Sequence, residues 1–282
     1  MEEEVKVCSR CGGEPKPVSE FHTRTNGALY SHCKSCQREY TKNHYAENRL
    51  KYIEKANKWA EHQRTTVDRI ILGDCQKLMR TVSPDAYIIS DPPYNQGYHY
   101  SSYKDALEIR KYQRLLTKAF KGRKSVVIHY PEDTINLLGG GALGSVEQSI
   151  AWVYNSNTAK QHRSITWFNC KPDMTKVTQP YKNPTDKRIA KRIEEGKACK
   201  LYDWWEVNQV KNVSKRDNPH PCPIPYEIAE RIILLTTNEG DLVCDPFAGS
   251  GTVLLAAKNL NRRYLGFEID PVYFEYAQQQ LK

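Results

Sequence analysis

No run of apolar residues in this sequence approaches the roughly 20 that a helix needs to cross a bilayer, which excludes a membrane-spanning helical protein. The N-terminus, MEEEVKVCSRC, is acidic and lacks the apolar stretch of a secretory signal, so we expect a soluble protein of the cytoplasm. There is no internal repeat and no low-complexity tract, which argues against a solenoid or a chain built from linkers. Apolar residues are not abundant: they make up 39% of 282 residues, and the mean hydropathy is −0.72. That suffices for a real core beneath a largely polar surface, in one large domain or two modest ones.

Cysteine, by contrast, is plentiful, at nine. A reducing compartment disfavours a disulfide framework, so metal binding becomes the leading use for any cysteines that cluster. Four of them do. Cys8-x-x-Cys11 and Cys33-x-x-Cys36 form two tight knuckles, each able to present two thiolates on one side, and together they complete a tetrahedron around Zn2+. An all-thiolate set reads as closed and structural, with His22 and His32 as nearby substitutes. The other five, Cys75, Cys170, Cys199, Cys222 and Cys244, have no paired spacing and read as packing residues.

The net charge is +9, which points to an anionic partner. Its distribution is uneven: between Lys171 and Arg216 there are 12 Lys/Arg against 6 Asp/Glu, interleaved with Tyr181, Tyr202, Trp204 and Trp205. Basic residues alone make a solvated surface, whereas basic residues among aromatics suit nucleic acid.

Residues 1–40 form the cysteine-bearing module. From Gln37 to about Arg64 the chain has no Gly or Pro and carries apolar residues at helical spacing, which predicts a linker helix over 41–66. Beyond it, "RIILGD" (69–74), "AYIIS" (86–90), "SVVIHY" (125–130), "SIAWVY" (149–154) and "SITWF" (164–168) read as short buried strands. "DLVCDPFAGSGT" is a strand running into a glycine-rich loop, "VLLAAKNL" a helix, "RYLGFEID" another strand, and a last helix starts at Pro271. This alternation predicts an α/β fold, a mostly parallel Rossmann-like sheet covered on both faces, over 67–282. "LLGGGALG" (137–144) follows no convincing strand and reads as a surface turn.

Two stretches carry chemistry. In "ISDPPYNQGY" (89–98) a strand stops at Asp91, Pro92, Pro93 and Tyr94. Two successive prolines fix φ and donate no N–H, so they hold the neighbouring carboxylate and ring still. That arrangement suits gripping something flat and polar. In Asp245-Pro246-Phe247-Ala248-Gly249-Ser250-Gly251-Thr252, glycines between a strand and a helix let the backbone approach a nucleotide-like ligand. Glu268, about 20 residues on at the end of the next strand, is placed to accept from two ribose hydroxyls.

Together, DPPY, DPFAGSGT and GFEID resemble the S-adenosylmethionine-dependent DNA amino-methyltransferases that act on N6 of adenine or N4 of cytosine. The similarity runs from about Arg69 to Lys282 and includes "ILGDC" and "HPCPIPYEIAERIILLTTNEGDLV". DPPY precedes the glycine loop, with the basic segment between them, an order that looks like the group called beta. The N-terminal module is similar to short treble-clef-like fingers of phage and bacterial DNA-acting proteins, so a bacterial or phage origin is implied.

By that resemblance Asp91 and the Pro92 carbonyl accept the hydrogens of an exocyclic amine, Tyr94 stacks on the base, and the base is flipped from duplex DNA. Asp245 and Phe247 to Gly251 line the methionine and ribose part of S-adenosylmethionine. Glu268 holds the ribose, Asp74 approaches the adenine of the cofactor, and His220 and Pro221 pack at its methionine end. Asp270 is a further contact or a helix cap. The segment from about 155 to 217 stands where such enzymes recognise their target. Adenine-specific relatives often carry lysine where this chain has Ile224, which keeps cytosine-N4 open as the alternative, while the aspartate of DPPY favours adenine N6. An inactive DNA-binding module is the reading from another class; a metal-dependent nuclease lacks a His and Asp/Glu cluster in residues 1–64. A homodimer and a cognate restriction enzyme are partners the resemblance allows.

Overall fold

The computed structural model describes residues 4–24, 27–40, 42–43, 48, 51, 67–98, 100, 102–133, 143–156, 159–210 and 218–282. The chain divides into two compact units, Met1–His62 and Gln63–Lys282.

In the first unit, β1 (Val5–Lys6) pairs antiparallel with β2 (Lys16–Pro17), and β3 (Phe21–Thr23) with β4 (Leu29–Cys33). Its buried apolar cluster is Cys8, Phe21 and Cys33, with Leu29 and Cys36 packed against them. So small a core rarely holds a fold without a staple. Residues 34–40, 42–43, 48 and 51 are helical, and the rest of the expected linker helix lies outside the described residues.

The second unit is built on eight strands. In chain order these begin with β5 (Arg69–Leu72), β6 (Tyr87–Ser90), β7 (Ser125–His129), β8 (Val146–Val153) and β9 (His162–Phe168). A separate antiparallel pair follows, β10 (Thr178–Gln179) with β11 (Cys199–Lys200). Then come β12 (Trp204–Glu206), β13 (Leu242–Asp245) and β14 (Arg263–Glu268). The sheet order is β12-β8-β9-β7-β6-β13-β14-β5. All neighbours pair in parallel except at β9, which is antiparallel to both β7 and β8.

Strands buried on both faces explain the continuous apolar runs of the sequence. Ile89, Val126 and Ile128 face one core cluster with Ile228, Ile232 and Leu254, while Ile88 and Val127 face the other with Leu116, Phe120 and Phe267. Helices supply those layers. Asp74 caps the single turn α1 (Cys75–Leu78), and α2 (Ile109–Phe120) buries Tyr112, Leu115, Leu116, Ala119 and Phe120, one face at the 3.6-residue period. Downstream lie α3 (Lys187–Glu194), α4 (Tyr226–Thr236), α5 (Thr252–Asn259) and α6 (Pro271–Gln280). Asp270 caps α6, accepting from the N–H groups of Val272 at 2.8 Å and Tyr273 at 3.3 Å, and Pro271 fills the first turn.

Sequence order reverses between β6 and β13. The strand after β6 in the chain lies on one side of this pair, and the strand after β13 lies on the other. Crevices form at the carboxyl ends of strands at such a switch point.

Candidate functional site

Two strand ends meet at that crevice. Ser90, the last residue of β6, donates its hydroxyl to Asp245 Oδ1, at the end of β13, at 2.5 Å. The Phe247 N–H donates to the same oxygen at 3.0 Å. Burial pushes the Asp245 carboxyl up to about 7, against the opposing pull of these two donors.

Asp91 follows Ser90 directly. Its Oδ1 accepts the Tyr94 hydroxyl, and its Oδ2 accepts from Arg163 Nη1 at 3.2 Å. Burial raises the Asp91 carboxyl, and the guanidinium and then the phenol oppose it. The Tyr94 ring lies 4.9 Å from that of Tyr130, centroid to centroid. The loop beyond is tied back to the fold: the Asp105 carboxylate accepts from the N–H groups of Asn95, Gln96 and Tyr98 at 2.7, 3.1 and 3.0 Å. Asn95 sits in the left-handed region, at φ +57°, and its side-chain amide donates to the Leu107 carbonyl at 2.9 Å. The two prolines therefore leave the strand stiffly, and the chain after them is anchored.

The glycine loop shows why it needs glycine. Gly249 has φ +52°, and a Cβ there would stand 3.0 Å from His220 Nε2. Gly251 has φ +82° at the start of α5, and a Cβ would stand 2.9 Å from that of Ala277. Glu268 ties the loop to β14: Oε2 accepts the Gly249 N–H and Oε1 the Asp270 N–H, each at 2.7 Å. Burial raises the Glu268 carboxyl and lowers His220 to about 4, which keeps that imidazole neutral at physiological pH.

These residues line one cavity. Asp74, Asp91 to Tyr94, His220, Asp245 to Ser250, Thr252 and Glu268 all contribute to its wall, as do Tyr100, Cys222, Ile224 and Tyr273. Two of the expected residues do not: Pro221 is exposed, and Gly251 shapes the start of α5 instead. Asp74 reaches the wall while one of its oxygens accepts from the Gln76 N–H at 2.9 Å. The glycine loop, the Glu268 carboxylate and the neutral His220 on one lining suit an S-adenosylmethionine-like molecule, whose ribose hydroxyls need an acceptor.

Arg163 is the residue that sequence reasoning misses. The run "SITWF" begins one residue later, and a single arginine at a strand start carries no pattern. Only the reversal of β9, which brings its N-terminal end to the carboxyl ends of β6 and β7, reveals its place. Trp205 also departs from expectation. It is 2% exposed and packs in the core through β12, so it belongs to the sheet and not to a surface for nucleic acid. Tyr202 and Trp204 instead stack on each other 6.2 Å apart, with Lys182 over both rings.

In the N-terminal unit the sulfurs of Cys8, Cys11, Cys33 and Cys36 all lie within 4.8 Å of one another. The Cys33 N–H donates to Cys8 Sγ at 3.2 Å, and N–H donors from Cys11 and Cys33 pull the Cys8 thiol down to about 5. A donor set of four sulfurs, one already disposed to ionise, fits Zn2+. His22 and His32 lie outside the cluster.

Known proteins resemble this chain over about three quarters of its length. Type II methyltransferase M.HpaI of Haemophilus parainfluenzae is 29% identical over 76% of this chain and 74% of its own length. DNA adenine methyltransferase YhdJ of Escherichia coli is 26% identical over 75% of this chain and 82% of its own. Among solved structures, the PvuII DNA methyltransferase, cytosine-N4-specific, shares the fold with a TM-score of 0.54 at 16% identity, over 75% of this chain and 85% of that one. A DNA modification methylase of Thermus thermophilus, solved with S-adenosyl-L-methionine, does so with a TM-score of 0.51 at 20% identity, over 76% and 92%. Most decisively, the N6/N4 methyltransferase family, described as DNA methylase, matches residues 86–279, and the chain belongs to that family.

Proposed function

We propose that this protein methylates N6 of adenine in double-stranded DNA at specific sites, with S-adenosyl-L-methionine as donor. The observation that carries the reading is the hydrogen bond joining the two strand ends. Through Ser90 and Asp245 it sets the DPPY loop and the glycine loop on one cavity, so an amine and a methyl donor can share it.

The donor supplies an electrophilic methyl group; the rest is the work of this chain. The lone pair of an exocyclic amine is conjugated into the base, which makes it a poor nucleophile. Asp91 accepts one amine hydrogen and the Pro92 carbonyl the other, drawing the nitrogen towards a pyramidal geometry. The Tyr94 hydroxyl now occupies Asp91 Oδ1, so that phenol turns away when the base arrives and its ring becomes a stacking platform. Unpairing the base costs a few kcal/mol, offset by stacking and edge hydrogen bonds. Phe247 to Ser250 and Glu268 hold the donor, with Asp74 and neutral His220 at its two ends. The Lys182, Tyr202 and Trp204 surface lies in the 155–217 segment, whose part outside β9 and the buried side of β12 we assign to target recognition, where Lys/Arg position phosphates. Part of that segment, 157–158 and 211–217, lies outside the described residues.

Zn2+ at the four cysteines would fix the N-terminal unit, a finger for DNA. The bacterial Type II relatives support a cognate restriction enzyme as counterpart and the bacterial cytoplasm as the place of action. Cytosine-N4 is the second reading, favoured by Ile224 on the cavity wall where adenine-specific relatives often carry lysine. Tritium transfer from methyl-labelled S-adenosylmethionine to duplex DNA tests the proposal, with Asp91→Ala as control. No transfer by a protein that binds both DNA and donor contradicts it and favours an inactive DNA-binding module.

A further inference from the structure

Arg163 is a cation in an unusual place. Its side chain is 3% exposed, and a buried guanidinium is costly unless paired. It meets the Asp91 carboxylate at 3.2 Å, while its other terminal nitrogen lies 3.3 Å from Cys222 Sγ. Its guanidinium carbon stands 5.0 Å over the Tyr94 ring, 5.4 Å over Tyr130 and 5.2 Å over Trp152. Its Nε is buried with no partner. The side chain is thus held by aromatic faces and by the two polar residues of DPPY.

Resting on the methyl-transfer reading above, we propose that Arg163 is a positioning residue for the reaction, one buried cation that keeps the Asp91 carboxylate ionised and aimed while it braces one face of the Tyr94 ring. The carboxylate must be anionic to accept an amine hydrogen at the oxygen that Tyr94 vacates. Once the Tyr94 hydroxyl has left, the other described residues around the carboxylate offer no positive charge. Tyr94 and Tyr100 face it from its own and the following loop, Tyr112 from α2, and buried Asp245 from β13, while Tyr130 and Cys222 lie beside Tyr94 and Arg163. Arg163 brings the positive charge among these groups, and its pull opposes the burial that favours the neutral acid. The brace matters separately. A guanidinium over one face of Tyr94 steadies the ring as its hydroxyl leaves Asp91, so the ring meets the base in a defined position.

The test compares Arg163→Lys, which keeps the charge, with Arg163→Gln, which keeps polarity without it. The kcat and KM for duplex DNA are followed against pH, with donor affinity and Tm checking the fold. The proposal requires Arg163→Gln to lose roughly tenfold or more in kcat near neutral pH and to regain activity as pH rises, its acid limb displaced upward. Arg163→Lys must keep the wild-type limb. Both variants should show weaker 2-aminopurine fluorescence changes on duplex binding, because the Tyr94 brace is altered in each. Identical limbs in the two variants, or a Gln variant slowed equally at every pH, overturn the proposal. A wild-type protein that transfers no methyl while Asp91→Ala behaves alike defeats the underlying reading instead, so the two failures are distinguishable.

Discussion

The two units of this chain reach stability by opposite means. The Gln63–Lys282 unit buries two large apolar clusters on either side of an eight-stranded sheet, and its site is a by-product of strand order. The Met1–His62 unit buries Cys8, Phe21 and Cys33 and little else among its described residues, and two of those three belong to the four-cysteine cluster that could hold Zn2+. In the large unit the core holds the site. In the small one the site holds the core. Metal loss should therefore affect the two very differently, and Asp91 in the crevice should control chemistry without controlling the fold.

The sharpest way to break that contrast is to remove ligands. Cys8→Ser combined with Cys11→Ser should release Zn2+ and unfold the small unit, since structural zinc supplies about 10–16 kcal/mol to such modules. The main melting transition of the large unit should stay in place, and metal content with two-transition calorimetry checks both. Within the large unit, Asp91→Ala should lower kcat roughly 10²–10⁴-fold while donor affinity barely changes, as isothermal titration and methyl-transfer rates would show. Loss of donor binding instead would mean that the carboxylate belongs to the wrong ligand. Glu268→Gln should weaken donor binding by about 1–3 kcal/mol, because it removes a charged acceptor and disturbs the Gly249 tie.

The smallest effect concerns pH. Burial raises Asp245 from 3.8 to about 7 in the folded chain. A raised folded pKa gives stability that is fully present below the unfolded value and lost as pH rises through the folded one. Between those limits the free protein should lose stability at this residue, and Asp245→Asn should flatten that part of the Tm profile. A profile unchanged by the substitution would show that Asp245 is not the titrating group.

Much of this is legible in the sequence. The apolar runs of β6, β7, β13 and β14 are strands because parallel strands buried on both faces need no alternation, and the paired knuckles announce four convergent sulfurs. Asp91 to Tyr94 and Asp245 to Thr252 can be singled out because proline and glycine restrict the backbone so strongly. What stays hidden depends on three-dimensional register. Arg163 reaches Asp91 across 72 positions only because β9 runs backwards. Trp205 resembles a nucleic-acid contact because a basic segment surrounds it, yet β12 adds it to the sheet. Asp105 reads like any polar loop residue, yet its carboxylate collects three backbone N–H groups of the loop beyond DPPY.

The most direct measurement is nucleoside mass spectrometry of duplex DNA incubated with the protein and methyl-deuterated S-adenosylmethionine. The account predicts deuterated N6-methyladenine, absent with Asp91→Ala. Deuterated N4-methylcytosine in its place would contradict the choice of base, and DNA left unlabelled by a protein shown to bind both DNA and donor would contradict methyl transfer itself.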